Sequence, residues 1–336
     1  MIEITSPNGV AFLCSKPAQD YLKHGGDVAN YCNENVAPNQ AIPVTISWHS
    51  DKKAKSFAVK YSDNPYFFNC EKKNIDGCLN EIQVYNLLKA TEYFIEISAL
   101  YQDGTTEKII RSFTTSDNGP RPIQIEGVYN TRDLGGYLLS NGKRTKQNMI
   151  FRGGALPPCK YYETVGITKN GKAYMSDTLG KKTEIDFRSP QEAENGKDST
   201  IPRAKLVYAY INGYDEIINC TEGYRKLFSL LADKKNYPIY LHCTGGADRT
   251  GTVCFLINAL LNVDNQSLIE DYEFSSFSYY NIRSINGGWT MPFWENFTNL
   301  INSFDGKNIN ERVEKLMLSI GVTQEEIGSL RKIMIN

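Results

Sequence analysis

Tyr237-Pro-Ile-Tyr-Leu-His-Cys-Thr-Gly-Gly-Ala-Asp-Arg-Thr-Gly-Thr-Val-Cys-Phe-Leu256 is the stretch on which the rest of the chain turns. Tyr237 to Leu241 is a short apolar run of β-formers and reads as a buried strand. Thr244 to Asp248 is a loop of small residues able to fold tightly and present its backbone N–H groups. From Arg249 onward Val253, Phe255, Leu256, Ile257, Leu260 and Leu261 make a helix that is apolar nearly all round, hence buried. Loop N–H groups and a helix N-terminus together form a cradle for an anion. The same positive field favours the thiolate of Cys243, the reactive form of a cysteine. Arg249 can return its planar fork to the cradle and grip two oxygens at once, which lysine cannot do. Thr250 offers a hydroxyl suited to steadying the sulfur as it leaves, and His242 is placed to orient the loop by hydrogen bonds. A cysteine followed six residues later by an arginine is common in a chain with eight cysteines. The flanking strand, paired glycines and buried helix give the spacing its meaning.

His242-Cys243-x5-Arg249-Thr250-Gly251 resembles the signature of the cysteine-dependent protein tyrosine phosphatases. The fuller form, with Thr244, Gly245, Gly246, Ala247 and Asp248 inside it, is similar to the bacterial tyrosine/serine protein phosphatase family, some of whose members also act on phosphoinositides. The resemblance implies an α/β phosphatase domain, a mostly parallel sheet flanked by helices. It also implies metal-free hydrolysis of a phosphomonoester through a phosphocysteine, with tyrosine or dual specificity. Cys243 would be the nucleophile, Arg249 the guanidinium that stabilises the transferred phosphoryl group, and Asp248 the general acid, with Asp186 or Asp133 as the fallback. His242, Thr244 to Ala247 and Thr250 would form the substrate-binding P-loop. Lysine is usual in that family where this chain has Ala247, so one cation is missing and a polyphosphorylated lipid is less well served.

The 336 residues are many for one core, so two domains are expected. At 41% hydrophobic and 22% charged residues, the chain can fold without covalent staples. A net charge of -1 supplies no basic field for nucleic acid or an acidic membrane. No apolar run approaches the roughly 18 residues of a membrane helix, and the start lacks a basic-then-apolar leader. The cytoplasm is the expected compartment, export from a longer precursor the alternative; a catalytic thiolate also suits reducing surroundings. The cysteines show no zinc spacing. No metal or cofactor is expected, the expected partner is a phosphorylated protein or a small phosphomonoester, and nothing signals an oligomeric state.

Residues 1–40 read as an irregular N-terminal extension with one strand at most. Residues 41–116 hold short alternating runs, Val44 to Trp48, Phe57 to Tyr61, Glu81 to Val84, Tyr93 to Leu100 and Lys108 to Phe113, separated by turn residues. That spacing predicts a small antiparallel β-sandwich with Trp48 between its sheets. Leu87 to Tyr93 resembles the fibronectin type III corner, with Tyr93 returning its hydroxyl to the backbone and Lys89 where proline is frequent. Residues 117–125, with two prolines and a glycine, read as a linker, and 126–336 as the phosphatase domain.

That domain opens on Asn130-Thr-Arg132-Asp133-Leu-Gly135-Gly136, similar to a second segment of the same bacterial family. Arg132 and Asp133 would brace the anion loop, line its entrance, or pair with each other under a turn. Two later segments, around Arg152 and from Asp186 to Ser189, also resemble family segments and read as strand ends. Ligands bind at the carboxyl ends of strands in open α/β sheets, so Arg152, Asp186 and Arg188 are expected on the rim that carries Cys243. Arg188 would add positive field with Asp186 holding it, or the two would only pair. The aromatic segment 277–299, with Phe277, Tyr279, Tyr280, Trp289, Phe293, Trp294 and Phe297, reads as packed core, a stacking lid being the alternative. Thr323 to Glu326 makes a capping box.

Three other functions compete. A phosphoinositide or inositol-phosphate phosphatase would share the loop. A pseudophosphatase or adhesion-type module would capture phosphorylated partners without turnover, which an intact Cys243, Asp248 and Arg249 argue against. A rhodanese or arsenate reductase fits worst, because nothing marks a resolving cysteine and Cys254 lies in an apolar helix.

Overall fold

The structure is a computed structural model that describes residues 1–32, 40–158, 166–194, 196–278 and 282–335. Cys159, Tyr279 and Tyr280 lie outside the described residues. The chain divides into two compact units, 1–15 with 41–118, and 16–40 with 119–336.

The first unit has eight strands: β1 (Ile2–Ser6), β2 (Val10–Ala11), β3 (Val44–Ser50), β4 (Ala54–Ser62), β5 (Glu71–Asp76), β6 (Glu81–Val84), β7 (Glu92–Tyr101) and β8 (Thr106–Thr115). They form a three-stranded sheet, β1-β3-β6, and a five-stranded sheet, β2-β8-β7-β4-β5. The alternation predicted from sequence is what builds the core. Val44, Ile46 and Trp48 of β3 and Tyr93, Ile95, Ile97 and Ala99 of β7 are buried, each large side chain contributing about 1.5–3 kcal/mol of burial. Trp48 meets Phe57 edge-on with ring centroids 5.2 Å apart. The Leu88 N–H donates to the Tyr93 hydroxyl at 2.9 Å, closing the expected corner.

Residues 1–40 are not a separate extension. Ile2 and Ile4 alternate inward from β1, which pairs antiparallel with β3. Residues 16–40 belong to the second unit, where Tyr21 is buried with its hydroxyl on Glu273. β5 escaped the sequence pattern because it is an exposed edge strand with a polar sequence.

The second unit begins with helix α1 (Lys16–His24) and, among the described residues, holds one six-stranded sheet: β9 (Arg121–Pro122), β10 (Arg132–Asp133), β11 (Ile150–Gly153), β12 (Thr183–Asp186), β13 (Lys205–Tyr208) and β14 (Ile239–His242), in the order β13-β12-β14-β11-β10-β9. β13, β12, β14 and β11 run parallel, while β10 is antiparallel to β11 and to β9. The expected linker thus ends early, since Arg121 and Pro122 already pair in this sheet. Around it lie α2 (Lys169–Ala173), α3 (Thr221–Leu231), α4 (Asp248–Leu260), α5 (Asn265–Glu273), α6 (Met291–Asn302), α7 (Ile309–Ser319) and α8 (Gln324–Met334). From Thr250 to Leu260 every residue of α4 is buried, as its all-round apolar pattern requires. Thr323 and Glu326 form the capping box of α8. Phe277, Trp294 and Phe297 are core, with Trp294 and Phe297 edge-on to Phe255 at 5.4 Å. Trp289 and Phe293 are half exposed. With its middle built into the core, α6 is a packed helix and not a lid.

Candidate active site

β14 ends at His242 and α4 begins at Asp248, so Cys243 to Ala247 span the gap between the carboxyl end of a central strand and a helix N-terminus. The protein holds the loop by its carbonyls. Thr244 O accepts from the Ala155 N–H at 2.9 Å and Ala247 O from the Gly251 N–H at 2.7 Å. Gly245 O accepts from Asn130 Nδ2 at 3.2 Å, and Gly246 O from Arg152 Nη2 at 2.8 Å. Among the described residues, the backbone N–H groups of 244–249 find no acceptor. A planar trans peptide points its N–H opposite to its C=O, so carbonyls tied outward leave N–H groups turned inward. Gly246 is needed for this course: its φ is +67°, and a Cβ there would meet the Gly153 carbonyl at 2.2 Å. Cys243 opens the loop, buried to 3% exposure.

Beneath the loop sits a buried charge network. Asp271 of α5 takes Arg132 Nε at 2.8 Å and also Arg152 Nη1, while its backbone carbonyl takes Arg132 Nη2 at 2.6 Å. Arg132 Nη1 donates to Asn130 Oδ1 at 2.6 Å, which orients the amide that holds Gly245. Burial raises the cost of the Asp271 charge, yet the two guanidiniums hold its carboxyl below the usual carboxylate range. Arg132 and Asp133, expected as bracing, entrance or paired residues, are fully buried and do not pair with each other. Asp133 instead pairs with Arg121 at 2.7 Å and accepts the Gly135 and Asn148 N–H groups. Arg132 braces the loop through Asn130, and neither residue lines an entrance.

Asp186, Gly153 and His242 are in register at the carboxyl edge of the sheet, next to Cys243. His242 Nε2 meets Glu184 at 3.0 Å and Nδ1 meets the Cys243 carbonyl at 3.3 Å, an orienting role. Burial disfavours its charged form, but Asp186 and Glu184 raise its pKa above the ordinary histidine value. Arg188 is gripped by Asp186 through Nε at 3.0 Å and Nη2 at 2.7 Å.

The Arg249 guanidinium lies beside Thr244 and is held by Glu192. Its Nη2 lies 3.3 Å from Thr244 Oγ1, and Nη1 and Nη2 donate to the two oxygens of Glu192 at 2.8 and 2.7 Å. Thr244 Oγ1 donates to the same carboxylate at 2.9 Å. Glu192 thus orients the Arg249 fork through its two terminal nitrogens. Asp248, the first residue of α4, accepts from Arg283 Nε at 3.2 Å, Arg283 Nη2 at 3.0 Å and the Tyr214 hydroxyl at 2.7 Å. Burial works against its charge, but Arg283 and Tyr214 keep its carboxyl below the ordinary aspartate value. Thr250 is buried, with no protein partner for its hydroxyl among the described residues.

Glu192, Tyr214, Asp271 and Arg283 were missed from sequence. Each lies in a separate segment, and only the fold brings them to the loop.

Residues 123–286 match the tyrosine phosphatase family. A protein of Cupriavidus necator, named provisionally as a tyrosine-protein phosphatase, is 26% identical over 186 residues, 47% of this chain and 64% of that protein. The core catalytic domain of the PP-IP phosphatase SIW14 from S. cerevisiae aligns over 57% of this chain and 96% of its own, at 17% identity and a TM-score of 0.32. The fn3 domain of human collagen alpha-1(XX) chain aligns over 33% of this chain and 87% of its own, at 15% identity and a TM-score of 0.20.

Proposed function

With residues 123–286 taken as a domain of the tyrosine phosphatase family, we propose that this chain hydrolyses phosphomonoesters through a phosphocysteine on Cys243, with a protein phosphotyrosyl group as the first substrate class. The observation that carries this reading is the loop whose carbonyls are all tied outward while the N–H groups of 244–249 meet no acceptor among the described residues. Such a loop, capped by the Arg249 fork, is built for the equatorial oxygens of a phosphoryl group in transfer.

In the reaction, the Cys243 thiolate attacks phosphorus in line; a P–S bond forms as the P–O ester bond breaks. The departing oxygen takes a proton from Asp248, the carboxylic acid at the head of α4. Water then attacks the thiophosphate, its proton passing to the same carboxylate, and phosphate leaves as the thiolate returns. Thr250 supports the sulfur as leaving group through the hydroxyl that has no protein partner among the described residues. Arg132, Arg152 and Asn130 keep the loop pre-formed, so little binding energy is lost to ordering it.

Turnover of p-nitrophenyl phosphate by the full chain, with Cys243→Ser as control, tests the proposal. We expect turnover in the wild type, none in the variant, and phosphate trapped on Cys243 by acid quench and mass spectrometry. Unimpaired turnover in Cys243→Ser would overturn it.

A further inference from the structure

Asp248 is the acid of the proposed reaction, yet the structure surrounds it with groups that favour its ionised form. Arg283, buried to 2% exposure, reaches it with two nitrogens from the segment that follows α5. Tyr214 donates from a turn that lies against the loop, its own N–H bound to Thr252 Oγ1 at 2.9 Å and its hydroxyl 2.7 Å from that of Tyr272. Arg249, the next residue of α4, adds a further favourable charge.

Arg283 is itself held in place. Its backbone N–H donates to Ser276 Oγ at 2.8 Å, and its guanidinium carbon lies 5.2 Å from the centre of the Trp289 ring. The next two residues are pinned as well, Ser284 on Asp27 at 2.7 Å and the Ile285 N–H on Glu273 at 2.8 Å. The backbone around Arg283 is thus fixed, and its guanidinium is placed between the Trp289 ring and Asp248.

We propose that Arg283 is a positioning and specificity-determining residue that holds Asp248 as a carboxylate, so that the site hydrolyses esters of acidic alcohols, phenols above all, and turns over alkyl phosphates poorly. The inference rests on the reading that Cys243 hydrolyses phosphomonoesters. The chemistry is that of the leaving group. A phenoxide departs with little help from an acid, whereas an alkoxide needs nearly a whole proton in the transition state. An aspartate held ionised by an opposite charge at hydrogen-bond distance carries a proton to donate only at low pH, because an arginine neighbour lowers an aspartate by about 1–3 pH units.

The experiment compares wild type, Arg283→Gln, Arg283→Lys and Tyr214→Phe on p-nitrophenyl phosphate and on β-glycerophosphate, an alkyl ester, across pH. We expect Arg283→Gln to move the basic limb of kcat/KM for β-glycerophosphate upward by about 1 pH unit. The alkyl-to-aryl ratio of kcat/KM should rise about tenfold. Arg283→Lys, which keeps the charge, should stay near wild type, and Tyr214→Phe should shift both readouts in the same direction by less. A general loss of structure would lower both substrates together and move neither the limb nor the ratio. If Arg283→Gln turns over β-glycerophosphate with the wild-type limb and an unchanged alkyl-to-aryl ratio, the inference is overturned. Should Arg283→Gln fail to fold, Tyr214→Phe decides, and an unchanged ratio there overturns the inference. Cys243-dependent turnover in the wild type upholds the underlying activity whatever the Arg283 variants do; its absence removes both.

Discussion

Asp271→Asn is the sharpest probe of what holds the loop. The substitution keeps the size of the side chain and removes one charge, at a residue 2% exposed. In the wild type its two oxygens take Arg132 Nε and Arg152 Nη1. An asparagine offers one acceptor oxygen and turns an NH₂ group toward a guanidinium, so one contact becomes donor against donor and two buried cations lose their counter-charge. Removing one partner of a buried pair costs about 3–5 kcal/mol. For a unit of this size each kcal/mol shifts the melting temperature by about 2–4 °C, so a loss of about 10 °C is expected. Function should fall with stability, because Arg152 holds Gly246 O and Arg132 orients the Asn130 amide that holds Gly245 O. We expect kcat/KM for p-nitrophenyl phosphate to drop about a hundredfold even well below the melting point, the usual effect of misplacing a catalytic group by about 1 Å. The pH sense follows from the sign of the shift. The Asp271 carboxyl is held below its ordinary value in the fold, so its stabilisation is complete above about pH 4 and fades as pH falls toward the folded-state value. The gap between wild type and variant should therefore be flat from pH 5 to 8 and narrow only in stronger acid. Thermal unfolding by circular dichroism, with hydrogen exchange of residues 243–250, measures both effects. A variant that melts within 2 °C of wild type and keeps its kcat/KM would refute this account of the loop.

Two further substitutions separate the parts of the site. Glu192→Gln leaves one acceptor where Arg249 now has two, and should lower kcat/KM about tenfold as the fork loses its orientation. Because this pair is partly exposed, at 22% and 39%, its melting temperature should hardly move; an unchanged kcat/KM would show that Glu192 does not aim the fork. Gly246→Ala puts a methyl group 2.2 Å from the Gly153 carbonyl at a φ of +67°. It should distort the loop enough to cut turnover by about two orders of magnitude, and a steady-state assay giving wild-type rates would contradict the geometry.

The strand, loop and helix around Cys243 were legible because their signals are local. Apolar β-formers, paired glycines and an all-round apolar run each speak within about ten residues. The sandwich showed for the same reason, through the alternation of Val44, Ile46 and Trp48, and through the corner closed by Tyr93. β5 was hidden because an edge strand exposed on both faces has no alternation to show. β1 was hidden because Ile2 and Ile4 are too few to distinguish a strand from an apolar scatter. The site residues divide in the same way. Asp186 and Arg188 share a segment with their own family resemblance, whereas Asp271 lies 139 residues from Arg132, and only the packed fold makes them partners. Arg283 and Glu192 sit in segments without periodicity, and their meaning comes wholly from the carboxylate or guanidinium they meet. Arg132 shows the reverse limit. The sequence marked it as part of the site, but could not tell a residue under the loop from one at its mouth.

The balance of charge around the loop bears on what an anion would meet there. Arg249 faces Glu192, Arg188 faces Asp186, Arg283 faces Asp248, and Arg132 and Arg152 share Asp271. Each of these guanidiniums thus has a carboxylate partner, and Ala247 stands where a lysine would have added a further cation. On the proposed activity, the groups left for an anion among the described residues are chiefly the N–H groups of 244–249 and the start of α4, with the fork of Arg249 beside them. These are directional, short-range groups. They can enclose one tetrahedral phosphoryl group, but they offer nothing to a second phosphate a few ångströms away, where recognition depends on spare cationic side chains. On the proposed activity, one phosphoryl group on a neutral, flat alcohol therefore suits this loop better than a polyphosphorylated ring. The pairing of Asp248 with Arg283 points the same way, since an acid that is seldom protonated is least harmful when the leaving group is a phenol.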